Sequence, residues 1–117
     1  MSNYKKQIRA DFRDSVYKRD KYTCRACGRK FSADTAQENL DAHHITPREL
    51  IAGGGYVKEN GISLCKFGVN GKPSCHEKAE SCLHGNLIEG FSSQELYKKI
   101  GSSYEMAVKC AEKNQLG

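Results

Sequence analysis

Asp41-Ala42-His43-His44-Ile45-Thr46-Pro47 sets two adjacent histidines in a short segment with apolar neighbours, and the cysteines fall on either side of it. Cys24 and Cys27 precede it as a Cys-x-x-Cys pair; Cys65 and the dipeptide Cys75-His76 follow it. Four cysteines in two groups meet the ligand count of a closed, structural zinc, and the histidines can serve a second, open metal position. Two metals with two different tasks is the reading that organises the rest of the chain.

Composition says why a structural metal is needed. The chain has 117 residues, the length of one domain, and would bury about two thirds of its unfolded surface. Leu, Ile, Val and Phe number 21 of the 117, Trp is absent and the formal net charge is +5. That balance borders on the composition of disordered chains, so the core alone is a weak source of stability. A structural zinc contributes about 10–16 kcal/mol of apparent binding free energy, as much as the whole stability of an ordinary domain. Six cysteines could instead form disulfides in a secreted protein. Against this, Met1-Ser2-Asn3-Tyr4-Lys5-Lys6 runs into a charged segment without an apolar signal region. The expected compartment is the cytoplasm of a bacterial or phage-infected cell, with no membrane partner.

Charge is uneven. The first 30 residues hold ten Lys or Arg against Asp11, Asp14 and Asp20, a balance of +7, and the remainder sums to −2. A basic first segment attracts a polyanion with salt-dependent affinity, although a solvated helix face has the same composition. Tyr4, Ile8, Phe12 and Val16 recur every fourth residue, which predicts a basic amphipathic helix over 4–19 whose narrow stripe packs on the zinc module. Gly28 lets the backbone turn so that Cys24 and Cys27 face one ion.

Residues 32 to 39 read as a polar connector and Leu40 to Ile45 as a short strand ended by Pro47. Gly53-Gly54-Gly55 makes Arg48 to Glu59 a flexible exposed loop that returns to a second strand at Gly61 to Cys65. Lys66 to Lys72 contains Asn-Gly and reads as an extra finger, after which Pro73 and Ser74 start a helix. Ser92-Ser93-Gln94-Glu95 has capping-box spacing ahead of Leu96, Tyr97 and Ile100, and Tyr104 to Lys113 has helical spacing. The expectation is one α+β domain over 1–117, with a core over about 12–82 and a helical extension over about 92–113.

From Phe12 to Glu80, the ordered set of Cys-x-x-Cys, Asp41 to Pro47, Glu59-Asn60-Gly61-Ile62-Ser63-Leu64-Cys65 and Ser74-Cys75-His76 resembles the HNH endonucleases, which use the ββα-metal (His-Me finger) fold. The resemblance implies a metal-dependent DNA endonuclease. It assigns His44 as the general base, His43 and His76 as ligands of the catalytic divalent metal, and Asn60 as the residue that holds the loop or the base in orientation. It assigns Cys24, Cys27, Cys65 and Cys75 to a structural zinc. The catalytic ion would be one of Mg, Mn, Ni, Co or Zn, with two imidazoles favouring the borderline metals over Mg. It would bind the scissile phosphate and stabilise the leaving 3′-oxygen, giving 5′-phosphate and 3′-hydroxyl ends.

The resemblance leaves specific risks. Adjacent strand residues face opposite ways, so His43 and His44 share a site only if the strand ends or twists there. Nine residues separate Cys65 from Cys75 where the family usually has two; if that insertion does not close, Cys82 or His84 is the substitute ligand. Otherwise Cys82 and Cys110 read as core thiols and His84 as a surface residue. Asp41, Glu77 and Glu80 read as surface acids or helix-dipole partners, outside the ligand set. Arg48, with Lys5, Lys6, Arg9 and Arg13, forms the candidate nucleic-acid surface, and the expected partner is duplex DNA. A second copy of the chain, or a phage packaging or restriction protein, would supply further specificity. A non-catalytic zinc-stapled binder shares the cysteines and the basic segment but has no use for the four site residues together; a dithiol redox protein needs neither the second cysteine pair nor the histidines.

Overall fold

The computed structural model describes residues 2–116, with side chains over 4–114. Its order is α1 (Ser2–Arg19), α2 (Ala36–Asn39), β1 (Leu40–His44), β2 (Gly61–Cys65), α3 (Cys75–Leu83), α4 (Ser93–Lys99) and α5 (Tyr104–Leu116). This is a small α+β fold with a two-stranded antiparallel sheet, consistent with ββα-metal architecture. No helix among the described residues is long and apolar enough to cross a membrane.

β1 pairs with β2 so that Leu40, Ala42 and His44 lie opposite Cys65, Ser63 and Gly61, while Asp41 and His43 lie opposite Leu64 and Ile62. Cross-strand partners share a face, so the sheet sends His44 to one side and His43 to the other. Every residue of β2 is buried, which places this hairpin at the centre of the molecule, with α1 and α3 packed on it.

The apolar stripe of α1 packs on the hairpin rather than on the zinc module. A Cβ on Gly61 would lie 2.5 Å from Val16 Cγ2 and 2.7 Å from Phe12 Cζ, so a glycine is what admits the helix. Only the C-terminal half of the stripe is covered: Phe12 and Val16 are buried, whereas Tyr4 is 71% exposed because α1 projects beyond the sheet. Tyr17 joins the core and donates its hydroxyl to the Leu40 carbonyl at 2.7 Å.

Asp20, at the end of α1, ties three elements together. Its carboxylate, fully removed from solvent, accepts from Arg19, from Arg25 in the cysteine knuckle and from the Ser63 amide of β2. Each charge-assisted bond lowers the cost of burying that carboxylate, and losing either arginine would leave it under-compensated. Two of the N-terminal basic residues therefore serve the fold.

The loop from Arg48 to Asn60 is ordered in three 3₁₀ turns, at Arg48–Leu50, Ala52–Gly54 and Lys58–Asn60. The glycines give left-handed turns in place of slack. Gly55 (φ +66°) is buried where a Cβ would strike Asn60 Nδ2 and Ile51 Cγ2, both at 2.6 Å. The stretch over 32–39 also contains a short helix, α2, which buries Ala36. The expected capping box forms at Ser92 with Glu95 on α4, and Ser74, at the helix start, makes a second one with Glu77 on α3.

Candidate functional site

One sulfur of each of Cys24, Cys27, Cys65 and Cys75 lies within 4.8 Å of the others, and Cys27 Sγ is 4.0 Å from Cys65 Sγ. Zinc–sulfur bonds of about 2.3 Å in a tetrahedron set sulfurs about 3.8 Å apart, so the cluster fits that ion closely. The knuckle turns at Gly28 (φ +83°), whose amide bonds the Cys24 carbonyl at 2.9 Å. Amide donors stabilise thiolate: Cys27 N–H points to Cys24 Sγ at 3.5 Å and Cys75 N–H to Cys65 Sγ at 3.3 Å. Without a cation the four cannot all ionise. The Cys75 thiol bonds to Cys24 and pulls its pKa down, while Cys75 itself is pushed up by that same bond and by burial.

The nine-residue insertion closes. Lys72 N–H bonds the Val69 carbonyl at 3.1 Å across an Asn70-Gly71 turn, and Gly68 packs so tightly on the Lys72 carbonyl that no Cβ fits between them. Arg29 anchors the finger by donating to the Phe67 carbonyl. Cys82 and His84 are therefore not needed at the cluster; Cys82 Sγ faces the Ile88 carbonyl at 3.6 Å and His84 is exposed.

A second cluster lies on the α3 side of the sheet. His43, from β1, and His76, from α3, have ring centroids 5.3 Å apart, and Glu80 joins them. Glu80 Oε1 is 3.2 Å from His76 Nε2 and 3.7 Å from His43 Nδ1. Two nitrogens and one oxygen make a three-ligand set that leaves coordination positions for substrate and water. Sequence alone makes Glu80 a surface acid outside the ligand set, and the structure corrects this; the signal that points to it is the His76-x-x-x-Glu80 spacing, which puts both on one helix face. Asp41, also outside the expected ligand set, has its Oδ2 2.8 Å from His76 Nδ1 and so directs His76 Nε2 toward Glu80 and His43. Glu77 caps α3 as a helix-dipole partner would.

Electrostatics separate the histidines. Burial, then the charges of His76 and His44, push the His43 pKa down to about 3, so it presents a neutral ring. His44 is pushed down to about 4 by burial and by Arg48. Burial opposes protonation of His76, but the Asp41 hydrogen bond and the Asp41 and Glu80 charges outweigh it and raise its pKa. The Nε2 atoms of His43 and His44 are buried with no protein partner, so the nitrogens left for a ligand are His43 Nδ1, which faces Glu80, and His44 Nδ1.

His44 faces α1. Its ring stacks on Phe12 at 4.5 Å and meets the edge of Tyr56 at 4.8 Å. The strand ends at His44, and both histidines open into one cleft of about 580 Å³ that also takes in His76, Glu80, Arg9, Arg13 and Arg48. A neighbouring cleft is lined by Lys5 and shares Arg9, Arg48 and Tyr56. Lys5, Arg9 and Arg13 fall four apart on one face of α1, whereas Lys6 is out of phase and lines neither. Asn60, fully buried, makes no hydrogen bond to His43, His76, Glu80 or the His44 ring; its side chain bonds the backbone of Thr46 and Gly55. Residues 24–81 match the family model described as HNH endonuclease. This chain belongs to the HNH endonuclease family. Both clusters fall within the HNH segment, while the arginines of α1 and the helices α4 and α5 lie outside it. No curated protein and no solved structure matches the chain.

Replacing Cys24 or Cys75 by Ser should abolish zinc retention and cost most of the folding free energy, whereas Cys82→Ser and Cys110→Ser should keep a full zinc equivalent; metal analysis after gel filtration, with circular dichroism, reads both. Cation uptake at the histidine cluster should release a proton from His76, because its raised pKa keeps it protonated to higher pH than a free imidazole. Affinity should then fall by about tenfold per pH unit below that pKa. Asp41→Asn removes the main raising influence and should move this dependence to lower pH in calorimetric titrations.

Proposed function

We propose that this chain is a metal-dependent DNA endonuclease that hydrolyses phosphodiester bonds and leaves 5′-phosphate and 3′-hydroxyl ends. The observation that carries the reading is the opening of a three-ligand cluster (His43, His76, Glu80) and an unpaired neutral imidazole (His44) into one arginine-lined cleft. A divalent cation held by those three residues would supply positive charge to the scissile phosphate and to the departing oxygen.

The chain's own groups account for the remaining steps. His44, neutral at working pH, accepts a proton from water through Nδ1, the ring nitrogen that is not buried, as the water oxygen bonds to phosphorus, the bond to the 3′-oxygen breaks and that oxygen takes up a proton from solvent. Phe12 and Tyr56 hold the ring by its face and edge, so little reorientation is needed. Arg9, Arg13 and Arg48 are placed to bind backbone phosphates, with Lys5 extending the track along α1; such contacts hold any sequence and weaken with salt. The Asn60 amide fixes the chain that follows β1 and so sets where His44 ends up. The four-cysteine cluster, loaded with zinc, holds β2 and α3 together and so keeps the faces of the cleft in place.

Supercoiled plasmid should be nicked or linearised when Mg, Mn, Ni, Co or Zn is added and should stay intact with chelator. His44→Ala should lose at least about 10²-fold in rate while retaining its zinc and its retardation of DNA in gels. Retardation without cleavage in every divalent ion would mean instead a zinc-stapled nucleic-acid-binding module.

A further inference from the structure

Asn60 is not the end of its own hydrogen-bond network. Its amide oxygen accepts from the Thr46 amide at 2.9 Å and from the Tyr97 hydroxyl at 2.6 Å, and Tyr97 Oη also lies 2.6 Å from Thr46 Oγ1. The amide oxygen can only accept, so the Tyr97 O–H must donate to it and the Thr46 hydroxyl must donate to Tyr97. Asn60 Nδ2 in turn donates to the carbonyls of Thr46 and Gly55, and the Ile45 amide donates to the Asn60 carbonyl. Every donor and acceptor of this closed ring is satisfied, and Thr46, Asn60 and Tyr97 are all buried.

Tyr97 comes from α4, beyond the segment that matches the HNH model. A second strap arrives from the same helix, where Ser93 Oγ donates to the Ile45 carbonyl at 3.3 Å. The backbone just past His44 is thus gripped on one side by the loop asparagine and on the other by α4. A phenylalanine would fill the same buried space, so packing alone does not call for the hydroxyl. Its use is to orient the Asn60 amide and bind Thr46 at once, in a low-dielectric site where such bonds are strong.

We infer that Tyr97 is a positioning residue for the nuclease reaction: its hydroxyl locks the Asn60 amide against Thr46 and thereby holds His44 at its place in the cleft. The inference rests on the endonuclease reading above. It makes α4 part of the working site, since that helix completes a lock that the HNH segment only begins.

The test compares wild type, Tyr97→Phe, Thr46→Val and the double variant. Each is assayed for zinc content, divalent-metal affinity, plasmid nicking at saturating metal, and amide exchange at Ile45 and Thr46 by NMR. Tyr97→Phe should keep its zinc, its metal affinity and its KM, lose roughly tenfold in kcat, and exchange the two amides faster. Thr46→Val should do the same, and the double variant should be no worse than either single one, because all three break one chain of bonds. Unchanged kcat in folded Tyr97→Phe would overturn the inference, as would a loss confined to KM or to metal affinity, or additive losses in the double variant. An inactive wild type would sink the endonuclease reading instead; amide exchange would then still decide the lock, unchanged rates in Tyr97→Phe refuting it.

Discussion

Successive side chains of a β-strand leave on opposite faces, and in this protein that rule divides two neighbouring histidines between two different surroundings. Pairing of His43 with Ile62 and of His44 with Gly61 fixes the division. On one face His43 meets His76 and Glu80 of α3; on the other His44 lies between Phe12 and Tyr56. A slip of one residue would exchange the two surroundings. The register is well defended, because every residue of β2 is buried and neither face tolerates the exchange. The histidines come back to a common cleft because β1 ends at His44, where the chain turns away toward Pro47.

The hairpin sits in the apolar core with Phe12, Val16 and Ala79 of its neighbouring helices, and a small number of tight contacts fix how the helices lie on it. Gly61 admits α1, and Asp20 joins α1, the cysteine knuckle and β2 through buried charge-assisted bonds. The four-cysteine cluster links the knuckle to the end of β2 and the start of α3, the helix that carries His76 and Glu80. A cation at the sulfurs would therefore govern the second cluster indirectly, by fixing how α3 lies against β1. The finger between Cys65 and Cys75 is compatible with this because it closes on its own backbone at Gly68 and leaves both sulfurs where they are needed.

Much of this was legible in the sequence because the informative residues stand at short, ordered spacings. The knuckle, the hairpin strands and the capping boxes are local patterns whose physics is complete within a few residues. Glu80 was not legible, since an acid on an exposed turn of a helix is ordinary and only the approach of His43 from a distant strand sets it apart. The destination of the α1 stripe was hidden for a similar reason: nothing near Phe12 announces that Gly61, far along the chain, leaves room for it. The triple glycine was misleading. Three such residues suggest slack, yet Gly55 is there because the Asn60 amide occupies the space a side chain would need. Tyr97 read as one more apolar position of a helix, and its hydroxyl gains meaning only from Thr46 and Asn60.

Loaded with metal, the two clusters would be cation sites of different chemistry, a closed one of four sulfurs and an open one of two imidazoles and a carboxylate. Titration of metal-free protein with cobalt(II), followed by optical absorption, decides whether both sites exist. Expected are a first equivalent with intense thiolate-to-metal charge transfer and tetrahedral d–d bands, then a second, weaker site without charge transfer that disappears in His76→Ala. A single equivalent, or a second one that also shows thiolate charge transfer, would contradict the two-site reading.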